Sequence, residues 1–215
     1  MTPGSEESPR THRLGILLSG RGSNFLAIAE GIAQGRLANA TIAVVISNRR
    51  DALGIAAAQS AGFSTEVIEP RGRKRAEHDA EIIASLKAHQ VDLVCLAGYM
   101  RLLSAEFVRS FPQRILNIHP SLLPAFPGLD AQRQAIEYGV AVSGCTVHFV
   151  DEELDHGVIV LQKTVPVRAN DDEHTLAARI LVQEHVAYAE AIGRVISGKY
   201  RFAGRRYLGA QTETE

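Results

Sequence analysis

The sequence predicts a single-domain α/β protein with a mostly parallel, twisted sheet of about seven strands and helices on both faces. Short apolar runs alternate with longer amphipathic runs along the 215 residues. Polar turns rich in glycine and proline separate these runs, and a hydrophobic content of 46 % is sufficient for one core. We expect a Rossmann-like N-terminal half and an antiparallel C-terminal portion, because only the seven residues 151–157 join the last two strands.

The elements are assigned from the spacing of apolar residues. The predicted strands are 14–18, 41–46, 63–68, 91–97, 114–119, 143–150 and 158–167. The predicted helices are 23–34, 51–61, 74–89, 104–111, 130–138 and 172–197. We expect one domain at 14–205, between a disordered leader at 1–13 and a tail at 206–215.

Charge and composition narrow the class of partner. A net charge of −1 gives no electrostatic support for nucleic acid or an anionic membrane. No apolar run is long enough to span a membrane, and the leader lacks the apolar segment of an export signal. Cys95 and Cys145 lie in apolar runs and are predicted to be buried free thiols. We therefore expect a cytoplasmic protein that binds small molecules, as a monomer or a homodimer.

The first polar turn, Ser19-Gly-Arg-Gly-Ser-Asn24, lies between a strand and a helix. Free backbone N–H groups and the helix dipole favour a phosphate at such a place. A dinucleotide site is disfavoured, because Phe25 replaces the third glycine and residues 47–48 supply no acid. A monophosphate site and a tight turn capped by Ser23 or Asn24 both remain open.

Asn117 and His119 stand two residues apart at the end of the fifth strand, so both side chains point to one face. Open α/β sheets bind ligands at this carboxyl edge. An amide donor beside an imidazole suits a carbonyl whose oxygen becomes negative during the reaction. The alternative is a structural pair that bonds nearby backbone. No serine or cysteine nucleophile is evident beside the pair, which suits direct attack by a substrate amine.

Asp155 lies in the acidic loop 151–157. Near His119, its carboxylate would stabilise an imidazolium and orient the ring. A solvated acidic turn is the alternative, because three other acids are close in sequence. Three side chains near this loop could bind a metal: His148, Asp151 and His156. Their spacing is not that of a known tight metal motif, so no metal is predicted.

From Leu14 to the last helix, the chain resembles the phosphoribosylglycinamide formyltransferases. These enzymes transfer the formyl group of 10-formyltetrahydrofolate to glycinamide ribonucleotide in purine biosynthesis. The strongest match is LNIHPSLLPAFPG at 116–128, which other folate formyltransferases share in part. The turn at 19–24 is more discriminating. Shorter matches are 96–101, 146–151 and 183–185.

The resemblance implies roles for particular residues. It implies that three residues are catalytic: Asn117, His119 and Asp155. It implies that four residues hold the ribonucleotide: Gly22, Ser23, Asn24 and Glu184. It implies that the folate is bound by Arg75, Met100, Arg101, Leu102, Leu103 and Asn117, with the 151–155 loop beside the pterin. The expected reaction is direct attack of the amine through a tetrahedral oxyanion.

The sequence departs from the usual pattern of these enzymes at two positions, and three other assignments of function are possible. The family often has a basic residue where Ala125 stands and glycine where His156 stands. Formyltetrahydrofolate deformylases carry an extra N-terminal domain, and methionyl-tRNA formyltransferases carry an extra C-terminal domain and a basic surface. We expect neither in 215 residues with a net charge of −1. A non-catalytic nucleotide- or folate-binding module is the rival from another class.

Overall fold

The computed structural model describes residues 10–209. The strands are β1 (His12–Leu18), β2 (Ala40–Ser47), β3 (Thr65–Val67), β4 (Leu93–Leu96), β5 (Ile115–His119), β6 (Val142–Phe149), β7 (Ile159–Pro166), β8 (Tyr200–Ala203) and β9 (Arg206–Gly209). The helices are α1 (Ser23–Ala33), α2 (Leu53–Ser60), α3 (Arg75–Ala88), α4 (Ala105–Ser110), α5 (Ala131–Tyr138) and α6 (Glu173–Ile196). Most of the predicted leader, at 1–9, and the end of the predicted tail, at 210–215, lie outside these residues.

The strands form one sheet in the order β3-β2-β1-β4-β5-β6-β7-β9-β8. Strands β1 to β5 are parallel in the order 3-2-1-4-5, which is that of a Rossmann-like half. Strand β6 runs antiparallel to both β5 and β7. The predicted α/β fold, with its antiparallel C-terminal portion, is thereby confirmed.

The sheet is longer than the sequence predicts, with nine strands in the described residues instead of about seven. The additional hairpin, β8 and β9, joins β7 through the pair Ile159 and Arg206. The ring of Phe149 packs 4.9 Å from that of Phe202 and 5.2 Å from that of Tyr207. Residues 206–209, predicted as the start of a tail, therefore belong to the sheet. Arginines at 201, 205 and 206 interrupt the apolar residues of this segment, so the sequence shows no apolar run there.

Apolar residues cover both faces of the central strands, which is why helices pack on both sides. On β1, Leu14, Ile16 and Leu18 face one core, where Phe25 of α1 and α6 also contribute. Leu17 faces the other core, together with Ile82 of α3. The alternation of side chains along a strand produces the two layers.

Helix α6 contacts both the parallel and the antiparallel part of the sheet. It packs against β6 and β7 as well as α1. The buried Tyr188 hydroxyl lies 3.0 Å from the carbonyl oxygens of Leu96 on β4 and Leu116 on β5, and its one hydrogen is shared by these two acceptors. Within residues 10–209, no helix has the length and apolarity that crossing a membrane requires.

Both cysteines are buried free thiols, as predicted. Burial raises the pKa of Cys95, and it raises the pKa of Cys145 to about 12 with a further contribution from the charge of Glu184. Neither thiol therefore forms a thiolate near neutral pH, and neither is a nucleophile for the site described next.

Candidate active site at the carboxyl edge of the sheet

Four polar side chains form one network where β5 ends. Nδ1 of His119 lies 3.4 Å from Oδ2 of Asp155, and Nε2 of His148 lies 3.8 Å from Oδ1 of the same carboxylate. Nδ2 of Asn117 lies 3.2 Å from Nε2 of His148. The three residues to which the resemblance assigns catalysis are thus brought together, with His148 between two of them.

His119 has an acceptor beside each ring nitrogen. Its Nε2 lies 2.8 Å from the carbonyl oxygen of Phe126, and its Nδ1 faces Asp155. A ring that carries hydrogen on both nitrogens satisfies both neighbours. The side chain is 6 % exposed, so this carboxylate interacts with the ring away from bulk water.

His148 is the residue of this network that the sequence did not identify. Its Nδ1 donates to the carbonyl of Phe149 at 2.8 Å, which leaves Nε2 to accept from the amide of Asn117. Burial lowers the pKa of His148, although the Phe149 carbonyl and the Asp155 charge partly oppose this. A neutral His148 therefore orients the Asn117 amide. The sequence alone offered this histidine only as one of three possible metal ligands.

The acidic loop turns Asp155 inward. Its backbone has a φ of 49°, and its side chain is only 8 % exposed. Its Oδ2 accepts the N–H of Gly128 at 2.8 Å, which ties the acidic loop to the proline loop. Because the carboxylate is buried, the solvated-turn alternative is wrong for Asp155.

His156, one of the two departures, fixes the same loop from outside. Its Nδ1 donates to Asp151 at 2.8 Å. Its Nε2 accepts from Arg205 at 2.8 Å, and Arg205 stands in the turn between β8 and β9. A glycine could make neither contact. The C-terminal hairpin thus contacts the loop that carries Asp155.

The proline loop after His119 is fixed by side chains from the antiparallel strands. Oγ1 of Thr146 accepts the N–H of Leu123 at 3.0 Å and donates to the carbonyl of Ser121 at 2.7 Å. Gln162 donates to the carbonyl of Leu123 at 2.9 Å. Ala125, the other departure, is exposed on this loop.

The glycine turn begins α1 without a side-chain cap. Gly22 is the N-cap residue, with a φ of 75°. The first helical hydrogen bond runs from the N–H of Leu26 to the carbonyl of Gly22. The capped-turn alternative is therefore wrong. The N–H groups of the first helical turn are left for an anion, as expected at a helix N-terminus.

Asn24 connects this turn to α6. Its Nδ2 donates to Oε2 of Glu184 at 2.8 Å, across 160 residues of sequence. Burial raises the pKa of Glu184, and the hydrogen bond from Asn24 partly offsets that rise. Oδ1 of Asn24 is buried and has no hydrogen-bond partner within residues 10–209. Two residues predicted to hold the ribonucleotide are thus in direct contact.

The loop that leaves β4 holds the four consecutive residues predicted to bind folate, 100–103. Met100 and Leu102 expose 70 % and 52 % of their surface. Oγ of Ser19 accepts the N–H of Met100 at 2.8 Å and donates to Asn48 at 2.6 Å. Ser19 thereby links the β4 loop to the end of β1, a contact that sequence reasoning missed.

Asp79 fixes the other end of this loop. Its carboxylate is buried on α3 and accepts the N–H of Ser104 at 2.7 Å. Arg75, also predicted to bind folate, begins α3 one turn earlier, is exposed and makes no ion pair with the rest of the described chain. Arg75 therefore shares helix α3 with Asp79, the residue that contacts this loop.

All these segments lie at one edge because β1, β4 and β5 are neighbours in the sheet. No group of three or more potential metal ligands occurs in the described part of the chain. Along this edge lie, in order, the N–H groups of the turn after β1, the exposed side chains of Met100 and Leu102 after β4, and the polar network at the end of β5.

An open α/β sheet with an amide, two imidazoles and a carboxylate at its carboxyl edge defines a class of α/β protein whose polar network could stabilise negative charge on a carbonyl oxygen. More particularly, the chain belongs to the formyl transferase family, whose model matches residues 12–192.

Comparisons with individual proteins agree. The phosphoribosylglycinamide formyltransferase of Escherichia coli is 42 % identical over 187 residues, which are 86 % of this chain and 88 % of that protein. A crystal structure of glycinamide ribonucleotide transformylase 1 from Symbiobacterium toebii superposes with a TM-score of 0.93 at 47 % identity. The match covers 98 % of this chain and all of that one.

The chain also matches part of much longer proteins. The trifunctional purine biosynthetic protein adenosine-3 of Drosophila melanogaster is 47 % identical over 195 residues. These residues are 89 % of this chain but only 14 % of that protein.

Proposed function

We propose that this chain transfers the formyl group of 10-formyltetrahydrofolate to the amine of glycinamide ribonucleotide. The observation that carries the proposal is the pair of His119 and Asp155, 3.4 Å apart beside Asn117. This pair lies at the same sheet edge as the uncapped turn at Gly22. The names of the E. coli and Symbiobacterium relatives support glycinamide ribonucleotide as the acceptor and a formyl group as the group transferred. The folate donor rests on the resemblance of the sequence to the formyltransferases.

In the proposed reaction, the substrate amine attacks the formyl carbon, so a C–N bond forms and the carbonyl oxygen becomes an oxyanion. The second N–H of the Asn117 amide and one N–H of His119 stabilise that charge. Asp155 keeps His119 positively charged and positions a water that relays the proton from the attacking nitrogen. Collapse breaks the bond to N10 of the folate, and N10 takes the proton.

Each substrate is assigned to its own part of the edge. The phosphate of the ribonucleotide binds the N–H groups at Gly22, Ser23 and Asn24, and Glu184 binds the sugar. The folate lies against residues 100–103 and Asn117, with its glutamate-bearing end near Arg75. Binding the substrates side by side removes the entropy cost of bringing them together, which is worth up to several kcal/mol.

The test is to mix the protein with 10-formyltetrahydrofolate, with and without glycinamide ribonucleotide, and follow the absorbance of the folate product. Turnover only in the presence of the ribonucleotide supports the proposal. Turnover without it would indicate a hydrolase that uses water as acceptor. Binding of either ligand without loss of the formyl group would indicate a non-catalytic module.

The cytoplasm is the proposed compartment, because a reducing environment keeps Cys95 and Cys145 as the free thiols observed.

A further inference from the structure

Two glycines from different helices touch through their backbones at the glycine turn. A Cβ atom added to Gly54, on α2, would lie 2.9 Å from Cα of Gly22 and 2.8 Å from Cδ2 of Leu18. A Cβ added to Gly22 would lie 2.7 Å from Cα of Gly54. The N–H of Gly54 also donates to the carbonyl of Gly20 at 3.0 Å. The start of α2 therefore holds the turn by direct backbone contact.

This contact leaves no space for any side chain at position 54. Leu18 is fully buried at the end of β1, so it cannot move aside freely. Gly22 already has a left-handed backbone with a φ of 75°, in which only glycine is free of strain. A methyl group at position 54 must therefore push α2 away or displace Gly22.

We infer that Gly54 is a positioning residue for the phosphate of the ribonucleotide, an inference that rests on the proposed function. Gly54 does not touch the phosphate. It sets the backbone of Gly22, and Gly22 sets the direction of the N–H groups of Ser23 and Asn24. A small displacement of hydrogen-bond donors weakens anion binding strongly, because their geometry is what selects the ligand.

The chain contains a matched control for a glycine-to-alanine change. Gly31 lies in the last turn of α1, the helix whose first turn is at issue. A Cβ there would lie 3.6 Å from Cβ of Ala189 and from Cδ1 of Leu37, which is ordinary van der Waals contact. Gly31→Ala therefore makes the same chemical change in a helix without displacing the turn.

The first experiment compares the steady-state constants of Gly54→Ala, Gly31→Ala and the wild-type protein. We expect Gly54→Ala to raise the KM for glycinamide ribonucleotide about tenfold or more, with kcat and the folate KM within about twofold of wild type. Gly31→Ala should leave all three within about twofold. An unchanged ribonucleotide KM in Gly54→Ala, or equal rises in both KM values, would overturn the inference.

A second variant covers the case in which Gly54→Ala does not fold. Leu18→Val removes both leucine Cδ atoms that a Cβ at position 54 would meet, and leaves the contact with Gly22. The double variant Leu18→Val/Gly54→Ala should still show the raised ribonucleotide KM, relative to Leu18→Val alone. Equal values in these two proteins would also overturn the inference.

Titration with inorganic phosphate separates this inference from the proposed function. The amide resonances of Ser23 and Asn24 should shift with phosphate in the wild type and in Gly31→Ala, and much less in Gly54→Ala. If the wild type shows these shifts, Gly54→Ala does not, and the wild type formylates no ribonucleotide, the proposed function fails and Gly54 still positions the turn for a phosphate. If wild type and Gly54→Ala respond equally, the positioning role fails whatever the enzyme assay shows.

Discussion

His119 has one oxygen neighbour at each ring nitrogen. The carbonyl of Phe126 accepts a hydrogen bond from Nε2, and the carboxylate of Asp155 lies 3.4 Å from Nδ1. A positively charged ring satisfies both, and a developing oxyanion would benefit from the same charge. The N–H at Nε2, which contacts the carbonyl of Phe126, is the one that an oxyanion could take over, because an oxyanion is a stronger acceptor than a neutral carbonyl. The geometry of one residue thus links the resting protein to the proposed transition state.

We predict that His119→Ala and Asp155→Asn each lower kcat at least about tenfold. Both changes remove stabilisation of the oxyanion and leave the glycine turn intact, so the affinity for glycinamide ribonucleotide should change little. Steady-state kinetics and ribonucleotide titration provide the two measurements. Turnover close to wild type in either variant would contradict the assigned roles.

The lowered pKa of His148 predicts a dependence of stability on pH. The unfolded histidine has a pKa of about 6.5, and burial lowers the pKa in the folded protein. The unfolded state therefore binds more protons between the two values. The contribution of His148 is fully present above pH 6.5 or so and is lost as the pH falls through the folded pKa.

The measurement is the urea midpoint of the wild type and of His148→Gln from about pH 7.5 to pH 5. Glutamine keeps an acceptor within reach of Asn117 but does not titrate. The wild-type midpoint should fall more steeply than that of the variant over this window. Parallel curves for the two proteins would show that His148 does not carry the dependence.

At the scale of elements, helix α3 and the loop after β4 act together through the buried carboxylate of Asp79. Arg75 begins the same helix, and residues 100–103 directly precede Ser104, whose N–H the carboxylate accepts. Burial raises the pKa of Tyr99, in the same loop, and the charge of Asp79 adds to that rise. One side chain therefore couples the two segments assigned to the folate.

Asp79→Asn should raise the KM for 10-formyltetrahydrofolate about three- to tenfold and leave the ribonucleotide KM nearly unchanged. The amide keeps the shape of the carboxylate but forms a weaker, uncharged hydrogen bond with the N–H of Ser104. Glu81→Gln is the control, because it removes a carboxylate from an exposed position of the same helix. Equal effects of the two changes on the folate KM would refute the coupling.

Elements and contacts differ in how well the sequence predicts them. Every predicted helix and strand has a counterpart, because the spacing of apolar residues is a local property. The hairpin of β8 and β9 was missed, since arginines interrupt its apolar residues and its rings pack against the distant Phe149. The contact of Asn24 with Glu184 spans 160 residues, and local patterns contain no information about it.

The site shows the same division. The residues at the end of β5 could be predicted as a polar pair, because strand ends lie at the edge where ligands bind. The burial of Asp155 could not be predicted, because an acidic loop is normally exposed to solvent. The contact of its carboxylate with the N–H of Gly128 is seen only in the folded chain. His148 and Gly54 have no sequence motif of their own. Their importance comes from neighbours that only the folded chain supplies.

At the scale of the whole molecule, α6 connects the parallel and antiparallel parts of the sheet, and Tyr188 contributes its one buried hydroxyl to both β4 and β5. Loss of this hydroxyl would leave two strand carbonyls without that donor. Because β4 and β5 lie in the middle of the sheet, the effect should appear in the cooperative unfolding of the entire domain.

Tyr188→Phe should lower the free energy of unfolding by about 1–3 kcal/mol, the usual cost of leaving a buried polar group without its partner. Urea denaturation gives this value directly. Tyr138→Phe is the control, because Tyr138 is 79 % exposed and surface changes usually stay within about 0.5 kcal/mol. Similar losses in the two variants would show that the Tyr188 hydrogen bonds contribute little.

The two buried thiols make the protein suitable for site-specific labelling. Maleimide reagents react with an accessible thiolate, and the burial and raised pKa of Cys95 and Cys145 exclude both conditions near neutral pH. A single cysteine introduced by Glu153→Cys, at an exposed position of the acidic loop, would therefore take up one dye without removal of the native cysteines. Its fluorescence would then report how that loop responds to each substrate in turn.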